Sequence, residues 1–443
     1  MVGGGASGTL TAVHMLRAAV PVRIVMIERS DRTARGVAYS TRFPQHLLNV
    51  LPGTMSGLAD DPDHLLRWLD DHGEGQAGPL AFVRRSTYGD YLSALLRASV
   101  EASAWAFEHR QAEAAGISLE AGRVRVALGD GGHVDADRVV LAIGNLPPRS
   151  VPLQSGDWPA DASRYMRDPW SPGALDDLPA GDALLVGTGL TMIDVALRIS
   201  ADRPDSKLIA ISRTGLMPHV HRPTGPTPRS EFHPPPPGTP LRALAAAVRA
   251  ATAAAEQAGG DWRDVIHALR PHTQPLWMGL SPADQRRFVA RFARFWDTHR
   301  HGMAPAIGAR VEALRANGQL TILAGRLHTV DEDDAGLTFS AVRRGTGEVM
   351  TRRVAYAVNC TGPGVSVVGA GSPLLDDLCA QGLARPHPLG LGLDTGAGGA
   401  LRQASGRLSP ELFTLGWMRR GELWESVAIP EIRAQAAALA HDL

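Results

Sequence analysis

Two glycine-rich turns contain the residue types and the spacing that could do chemistry. The first occupies residues 2–8 and places glycines at Gly3, Gly5 and Gly8, the G-x-G-x-x-G spacing of dinucleotide-binding turns. These glycines permit a tight turn, close approach of a pyrophosphate, and packing of a helix on a strand. The pyrophosphate then lies at a helix N-terminus, where unpaired N–H groups favour an anion. A second glycine turn occupies residues 186–189, and two nucleotide sites in one chain predict a flavin enzyme.

An acidic residue stands where the first turn needs one. The apolar strand predicted for residues 22–27 leads into Glu28, twenty residues after Gly8, where a carboxylate would meet a ribose hydroxyl. The alternative is a glycine-rich turn with an incidental acid. Only Met1 and Val2 precede the glycines, so we expect a first strand that is short, lies centrally in its sheet and lacks ladder hydrogen bonds.

The second turn predicts the nicotinamide cofactor. The strand predicted for residues 208–212 ends in Ser212 and Arg213, where an NAD-binding turn would carry Asp or Glu. An arginine there favours a 2′-phosphate, so we expect NADPH. The alternative is a surface arginine in a turn. Met192 replaces the third glycine, which leaves this fingerprint incomplete, and we assign no chemical role to Asp194 on the following helix.

Composition argues against several other classes of function. The chain has 443 residues, with 45 Lys and Arg against 45 Asp and Glu, so its charge favours neither nucleic acid nor an anionic membrane. No apolar run approaches the roughly 20 residues of a spanning helix, and we recognise no signal peptide. Cys360 and Cys379 form no Cys-x-x-Cys pair, and the histidines lack metal-ligand spacing. We therefore expect a cytoplasmic enzyme without a metal that acts on a small molecule.

The order of predicted elements indicates an α/β fold with two Rossmann-like dinucleotide-binding domains. Strand, glycine turn, helix and strand follow one another at residues 1–28 and again at residues 183–212. Two apolar strands lead into Gly144 and Gly362, and each would end at a chain crossing between domains. The predicted domains are an FAD-binding domain in two parts, residues 1–150 and 311–443, and an NAD(P)H-binding domain with a Pro-rich loop and a helical insertion, residues 181–310.

Three segments admit two interpretations each. The stretch 282–296 reads as one amphipathic helix whose aromatic residues belong to the core, or alternatively contact flavin or substrate. In the loop before residue 50, His46 and Asn49 either face the flavin or make hydrogen bonds within the loop. The Pro-rich segment 218–240 is either a mobile flap over the nicotinamide site or a segment that binds a partner.

The whole chain resembles a family of bacterial FAD/NAD(P)-binding proteins, largely uncharacterised and related to flavin-dependent N-hydroxylating monooxygenases. The segments that carry the resemblance are residues 36–40, 47–50, 55–56, 88–92, 187–192, 212–218, 299–301, 304–305, 424–425 and 430–433. The family usually has His-Arg-His-Arg before Met-Ala-Pro, and here Gly302 replaces the second arginine. That departure weakens a role for this segment as a clamp on a substrate carboxylate or a cofactor phosphate.

The resemblance implies a set of cofactor-binding residues. FAD would take the first turn, with Asn49, Met55 and Ser56 near the flavin ring and the turn at Trp424 and Glu425 closing over it. NADPH would take the second turn. The full set of predicted FAD-binding residues is Gly3, Gly5, Ala6, Ser7, Gly8, Glu28, Arg29, Asn49, Met55, Ser56, Gly144, Asn145, Trp424 and Glu425. The predicted NADPH-binding residues are Gly187, Thr188, Gly189, Leu190, Ser212 and Arg213. No catalytic side chain is assigned.

Three hypotheses of function follow. The first is an NADPH-dependent flavin monooxygenase that hydroxylates a nitrogen of a small amino-acid-like substrate through a flavin hydroperoxide, using O2. The second is an NAD(P)H-dependent reductase or dehydrogenase that inserts no oxygen. The third is a flavin-binding partner protein that lacks turnover. The sequence favours the first by analogy with relatives and names neither the substrate nor the oligomeric state.

Overall fold

The computed structural model describes residues 1–18, 21–74, 80–120, 122–159, 163–222 and 232–443, which contain both helices and strands. The helices are α1 Ala6–Arg17, α2 Gly36–Tyr39, α3 His64–Asp71, α4 Arg85–Ala102, α5 Leu190–Asp202, α6 Leu241–Gln257, α7 Trp262–Leu269, α8 Thr273–Gly279, α9 Pro282–Arg291, α10 Ala293–Arg300, α11 Pro305–Ala316, α12 Pro373–Ala380, α13 Arg420–Leu423 and α14 Ile429–Asp442. The strands are β1 Arg23–Glu28, β2 Ala106–Gln111, β3 Ala114–Glu120, β4 Arg123–Leu128, β5 His133–Ala136, β6 Val139–Leu141, β7 Tyr165–Met166, β8 Ala183–Val186, β9 Leu208–Ser212, β10 Leu320–Asp333, β11 Gly336–Arg343, β12 Val349–Val354, β13 Tyr356–Asn359, β14 Ala400–Arg402 and β15 Leu408–Thr414.

The first sheet has a very short strand at its centre. Strands β1 and β2 pair in parallel on one side, β6, β15 and β14 form the other side, and Val2 alone bridges β1 and β6. The Val2 N–H donates to the Val140 carbonyl at 2.9 Å, and the Val2 carbonyl accepts from the Ala142 N–H at 2.8 Å. The expected short first strand is therefore central. Helices α1, α4 and α14 pack against one another and contribute apolar residues such as Leu10 and Tyr88 to the core beside this sheet.

The second sheet has the order β12-β11-β10-β9-β8-β13-β7. Its strands from β10 to β7 pair in parallel, and the hairpin of β11 and β12 adds to the β10 edge in antiparallel pairing. Helices α5 and α11 contribute Ile193, Leu197, Ile307 and Val311 to one core with the buried strand residues. Glycine turn, crossover helix and parallel strands thus occur twice, which confirms the predicted α/β fold class.

The predicted domain boundary at residue 311 needs correction. Strands β10 to β13, residues 320–359, pair in the second sheet, although the sequence assigned them to the second part of the first domain. The pairing of β10 with β9 in parallel, from Leu320 opposite Leu208 onward, accounts for this. Strand β7 joins the same sheet at its other edge. By strand pairing, the second unit runs from Tyr165 to Asn359.

The helical insertion consists of α6 to α10 and differs from the predicted pattern at one point. The stretch expected to be one helix is two, α9 and α10, which meet at Phe292 with φ of −111°. The aromatic residues Phe288, Phe292 and Trp296 pack in a core with Trp424, which confirms their interpretation as core residues. Phe295 departs from that interpretation because it is 49% exposed.

A third sheet and two further features concern segments outside the two large sheets. The predicted hairpin near residues 117–134 is a three-stranded antiparallel sheet, β3 to β5, against which α12 packs. Residues 223–231 of the Pro-rich segment lie outside the described residues. Its interpretation as a flap or as a partner-binding segment therefore stays a prediction. In the described ranges, no helix is both long enough and apolar enough to cross a membrane.

Candidate functional site

The first glycine turn is built so closely that only glycine fits at two positions. A Cβ atom at Gly8 would lie less than 3.0 Å from the Gly3 carbonyl oxygen, and one at Gly3 would lie equally close to the Ala142 carbonyl. Gly3 also has a φ of +100°, which favours glycine. Gly5 is the N-cap of α1 without a side-chain cap, so the N–H groups of the first turn lack partners within the helix. A phosphate group fits this position.

Glu28 holds the turn from the end of β1. Its Oε2 accepts a hydrogen bond from the Gly4 N–H at 2.7 Å, and its Oε1 accepts from the Ser30 N–H at 3.0 Å. The following loop returns over the turn, because a Cβ at Gly5 would lie 3.3 Å from the Gly36 Cα. Arg29 is exposed beside the carboxylate. The carboxylate next to an uncapped helix start fits the ribose and pyrophosphate of FAD.

Four further residues predicted to bind FAD lie in two environments. Gly144, beyond the end of β6, borders open space, because a Cβ there would meet no atom within 4 Å, and Asn145 after it is exposed. Met55 is buried in the core beside the first sheet, and the Ser56 hydroxyl donates to the Asp61 carbonyl at 2.6 Å. Their contact with flavin stays a prediction.

The second glycine turn is tied to the end of β9. The Thr188 and Ser212 hydroxyl oxygens lie 2.8 Å apart, which joins the two segments predicted to hold NADPH. Gly187 has a φ of +122°, and Gly189 is the N-cap of α5 without a side-chain cap. The first N–H groups of α5, from Leu190 onward, therefore face the turn without partners within the helix. The arrangement repeats that of the first turn.

Arginines supply positive charge at this second turn. Arg213 is exposed just beyond β9, and its role at a 2′-phosphate stays a prediction. Arg294, which α10 places at the same turn, was not identified from the sequence. Its Nη2 donates to the Leu216 carbonyl at 2.7 Å and to the Thr188 hydroxyl at 3.1 Å. These partners lie 78 and 106 positions away in the chain, so no local motif could identify the residue.

The loop that contains His46 docks on α5. The His46 Nε2–H donates to the Asp194 carbonyl at 3.3 Å, and its Nδ1 lies 2.7 Å from the Thr41 hydroxyl. Burial lowers the pKa of His46, which favours the neutral ring. Arg85 of α4 pairs with the Asp194 carboxylate at 2.8 Å. The contact between His46 and Asp194 therefore connects the unit of the first sheet with the unit of the second. The Asp194 carboxylate has Arg85 as its structural partner.

The turn at Trp424 and Glu425 lies against the helical insertion. Trp424 has a φ of +60° and is buried, with its ring 5.2 Å from that of Trp277 and 5.0 Å from that of Phe288. Glu425 is also buried and accepts a hydrogen bond from Trp296 Nε1 at 2.7 Å. The insertion and the C-terminal segment thus form one packed unit. The contact of this turn with flavin stays a prediction.

A buried charge cluster lies beside this turn, formed by Arg270, Arg300, Glu425 and Glu431. The Arg300 Nη2 lies 3.6 Å from a Glu425 oxygen and 3.9 Å from a Glu431 oxygen, and Arg270 pairs with Glu431 at 3.2 Å. Neither Nε nor Nη2 of Arg300 has a hydrogen-bond partner among the described residues. Burial alone would raise the pKa of Glu425, but Arg300 and its neighbours outweigh burial and hold that pKa below its usual value.

Gly302, the departure from the family pattern, makes room for a histidine. A Cβ at Gly302 would lie 2.8 Å from ring atoms of His221. The His221 ring stacks on Phe82 and donates from Nε2 to the Asn49 carbonyl at 2.9 Å. An arginine at position 302 would displace this ring. The glycine therefore preserves the contact between His221 and the loop that contains Asn49.

Acidic pH should weaken the fold partly through His301. Burial lowers the pKa of His301 to about 4, with Glu425 opposing the shift and Arg300, Arg420 and Arg270 adding to it. Between pH 6.5 and 4 the unfolded chain binds a proton that the folded chain does not, so stability falls as pH falls through this window. The urea midpoint should therefore decrease from pH 7.5 to pH 5, and His301→Gln should reduce that decrease. A midpoint that rises towards pH 5 would contradict this assignment.

Comparison with known proteins agrees with the first turn. Residues 1–146 match the family described as FAD-NAD(P)-binding, which confirms that part of the predicted resemblance and the predicted class of cofactor. No curated protein matches the sequence.

Solved structures of N-hydroxylating enzymes share the fold along nearly the whole chain. L-lysine 6-monooxygenase from Pseudomonas syringae is 15% identical, with a TM-score of 0.68. Ornithine hydroxylase from Pseudomonas aeruginosa is 12% identical, with a TM-score of 0.67. Ornithine N-hydroxylase from Kutzneria sp. 744, in a structure with reduced FAD, NADP⁺ and L-ornithine, is 14% identical, with a TM-score of 0.65. Each comparison covers 99% of this chain and 97% of the other. The chain therefore has the fold of two-nucleotide flavin enzymes.

Proposed function

We propose that this protein is an FAD- and NADPH-dependent monooxygenase that hydroxylates a nitrogen of a small amino-acid-like substrate. One observation carries the proposal: two uncapped helix starts at glycine turns, at Gly5 and at Gly189, stand in a fold shared end to end with N-hydroxylating enzymes. The reaction would convert R–NH2, O2, NADPH and H⁺ into R–NHOH, H2O and NADP⁺, which balances atoms and electrons.

The chain's own residues would bind and orient the reactants. FAD, when bound, supplies hydride acceptance from NADPH and the activation of O2. The first turn and Glu28 would hold its pyrophosphate and ribose, and the second turn with Arg213 would hold NADPH. The aromatic packing of Trp424 against the insertion would help to exclude water from the reaction space. No protein nucleophile is needed, which fits a site without an assigned catalytic side chain.

Anaerobic titration with NADPH, followed by admission of air, would test the proposal. We expect NADPH to bleach the flavin absorbance, and air with a suitable amine to restore it with one hydroxylamine formed per NADPH. A panel of lysine, ornithine and short diamines would sample the substrate class. Bleaching followed by stoichiometric H2O2 and no hydroxylamine from any amine would favour the reductase alternative. Flavin that NADPH never bleaches would contradict both.

Replacing Arg213 with alanine should change the choice of nicotinamide cofactor. Loss of a charged hydrogen bond to the 2′-phosphate should raise the KM for NADPH by about 10–100-fold and leave the KM for NADH nearly unchanged. Steady-state kinetics with both cofactors would measure this. Arg291→Ala, at an exposed position at the end of α9, is the matched control and should alter neither value. Equal increases for NADPH and NADH would remove Arg213 from the 2′-phosphate site.

A further inference from the structure

We infer that Arg294, on the helical insertion, is the residue that positions the pyrophosphate of the nicotinamide cofactor, a role separate from that of Arg213. This inference rests on the proposed use of NADPH. It assigns part of the second nucleotide site to α10, an element that lies outside the sheet and its crossover helix.

The guanidinium group of Arg294 is bound to the protein through Nη2, and its other nitrogens have no hydrogen-bond partner among the described residues. Nη2 uses its two N–H groups on the Leu216 carbonyl and the Thr188 hydroxyl, which fixes the plane of the group against the turn. A guanidinium has five N–H donors, and those on Nε and Nη1 have no hydrogen-bond partner within the described part of the chain, so they can donate to a ligand. Nη1 lies 3.6 Å from the place of a Cβ on Gly189, the N-cap of α5. The free edge of the group therefore faces the uncapped start of α5.

Among the described residues, the charge of Arg294 has no direct counter-ion. No carboxylate of the described ranges lies within ion-pair distance of it, whereas Arg300 pairs with Glu425 and Glu431, and Arg420 pairs with Asp297. Burial lowers the pKa of Arg294, and Asp297 only partly offsets this. A partly buried cation without a partner is unfavourable unless an anion joins it, and a helix N-terminus beside it favours the same anion.

The position of the group distinguishes the pyrophosphate from the 2′-phosphate. In a dinucleotide-binding turn the pyrophosphate lies at the helix N-terminus, here at Gly189, and the adenosine ribose lies at the end of the second strand, here at Ser212 and Arg213. Arg294 contacts Thr188, inside the glycine turn, through Nη2, and its Nη1 lies beside the start of α5, where it can donate to a phosphate oxygen. It should therefore act on NADPH and NADH alike.

Equilibrium binding and kinetics of Arg294→Met would test the inference. We expect the Kd for NADP⁺ and for NAD⁺, and the KM for NADPH and for NADH, to rise by about 10–100-fold together, with the preference for NADPH unchanged. Binding of 2′-AMP, which has no pyrophosphate, should be unaffected. Arg294→Lys should recover only part of the loss, because the flexible lysine ammonium has three donors and no rigid plane that the contacts with Leu216 and Thr188 could orient. Arg291→Met serves as the matched control.

The outcomes separate this inference from the proposed function. A loss confined to NADP⁺ and 2′-AMP would assign Arg294 to the 2′-phosphate and overturn the inference, as would unchanged affinity for both dinucleotides. If the wild-type protein binds NADP⁺ and Arg294→Met weakens that binding, the inference stands even where no hydroxylated product forms. If the wild-type protein binds neither dinucleotide, the inference and the proposed use of NADPH both fail. Thermal melting of each variant would show that the fold is intact.

Discussion

Replacing Gly187 with alanine should abolish the reduction of bound flavin by NADPH. Gly187 has a φ of +122°, and a Cβ there would lie less than 3.0 Å from the Cys360 carbonyl oxygen and its carbonyl carbon. Both groups are backbone at the carboxyl ends of neighbouring parallel strands, β8 and β13, so neither can turn aside. The turn must move away from the start of α5, which removes the N–H groups that would bind phosphate. We expect the rate of anaerobic flavin bleaching to fall by at least about 100-fold.

A glycine outside both nucleotide turns provides the control for this variant. Gly129, between β4 and β5, has no positive φ, and a Cβ there would have the Glu113 carbonyl oxygen at 3.7 Å as its nearest neighbour. Gly129→Ala should therefore preserve the fold and leave the rate of bleaching close to that of the wild-type protein. Flavin content and far-UV circular dichroism should match the wild-type protein in both variants, because the first turn is unchanged. A wild-type bleaching rate in Gly187→Ala would remove the second turn from the cofactor site.

The sequence predicted the nucleotide turns well because their signals are local. Each turn is defined by glycines whose neighbours are a few residues away or on an adjacent strand, and Glu28 follows at a fixed distance. Strands β8 and β9 have the predicted bounds, because buried parallel strands are short, continuous apolar runs. These segments alone were sufficient to predict the α/β class.

The helical insertion and the outer strands could not be predicted in the same way. Strand β10 continues to Asp333 through a polar stretch that forms a strand by pairing with β11, a partner that the local pattern does not reveal. Helix α10 begins after the break at Phe292. Its direction places Arg294 in contact with the second turn and Arg300 near Glu425. Such placements depend on packing between distant segments, so residue type and spacing carry no signal for them.

Replacing Arg300 with methionine should cause the largest loss of stability among single variants of the buried charge cluster. The Arg300 side chain is 9% exposed and lies near the carboxylates of Glu425 and Glu431, whose side chains are 5% and 15% exposed. Methionine fills much of the volume but leaves two carboxylates facing each other with Arg270 as the remaining direct partner of Glu431. Removing one member of a buried ion pair costs about 3–5 kcal/mol. Urea unfolding at pH 7.5 would measure the loss.

A paired substitution separates the loss of charge from the loss of packing. Arg287→Met, which removes the exposed partner of an ion pair with Asp284, should cost less than about 1 kcal/mol. Adding Glu425→Gln to Arg300→Met should recover part of the stability, because the amide keeps a hydrogen-bond acceptor for Trp296 without a buried charge. If the double variant is less stable by the sum of both single losses, packing and not charge accounts for the effect of Arg300.

The pH dependence of the same variant gives an independent test of the electrostatic origin. In the wild-type protein the pKa of Glu425 is lowered, so its contribution to stability is present above the unfolded pKa and is lost as pH falls through the folded one. Without Arg300, burial should raise the pKa of Glu425, and protonation then relieves the uncompensated charge. The stability deficit of Arg300→Met should accordingly shrink between pH 7.5 and pH 5. A deficit that stays constant over this range would show that Arg300 acts by packing, and the cluster would then be a steric feature of the contact between insertion and C-terminal segment.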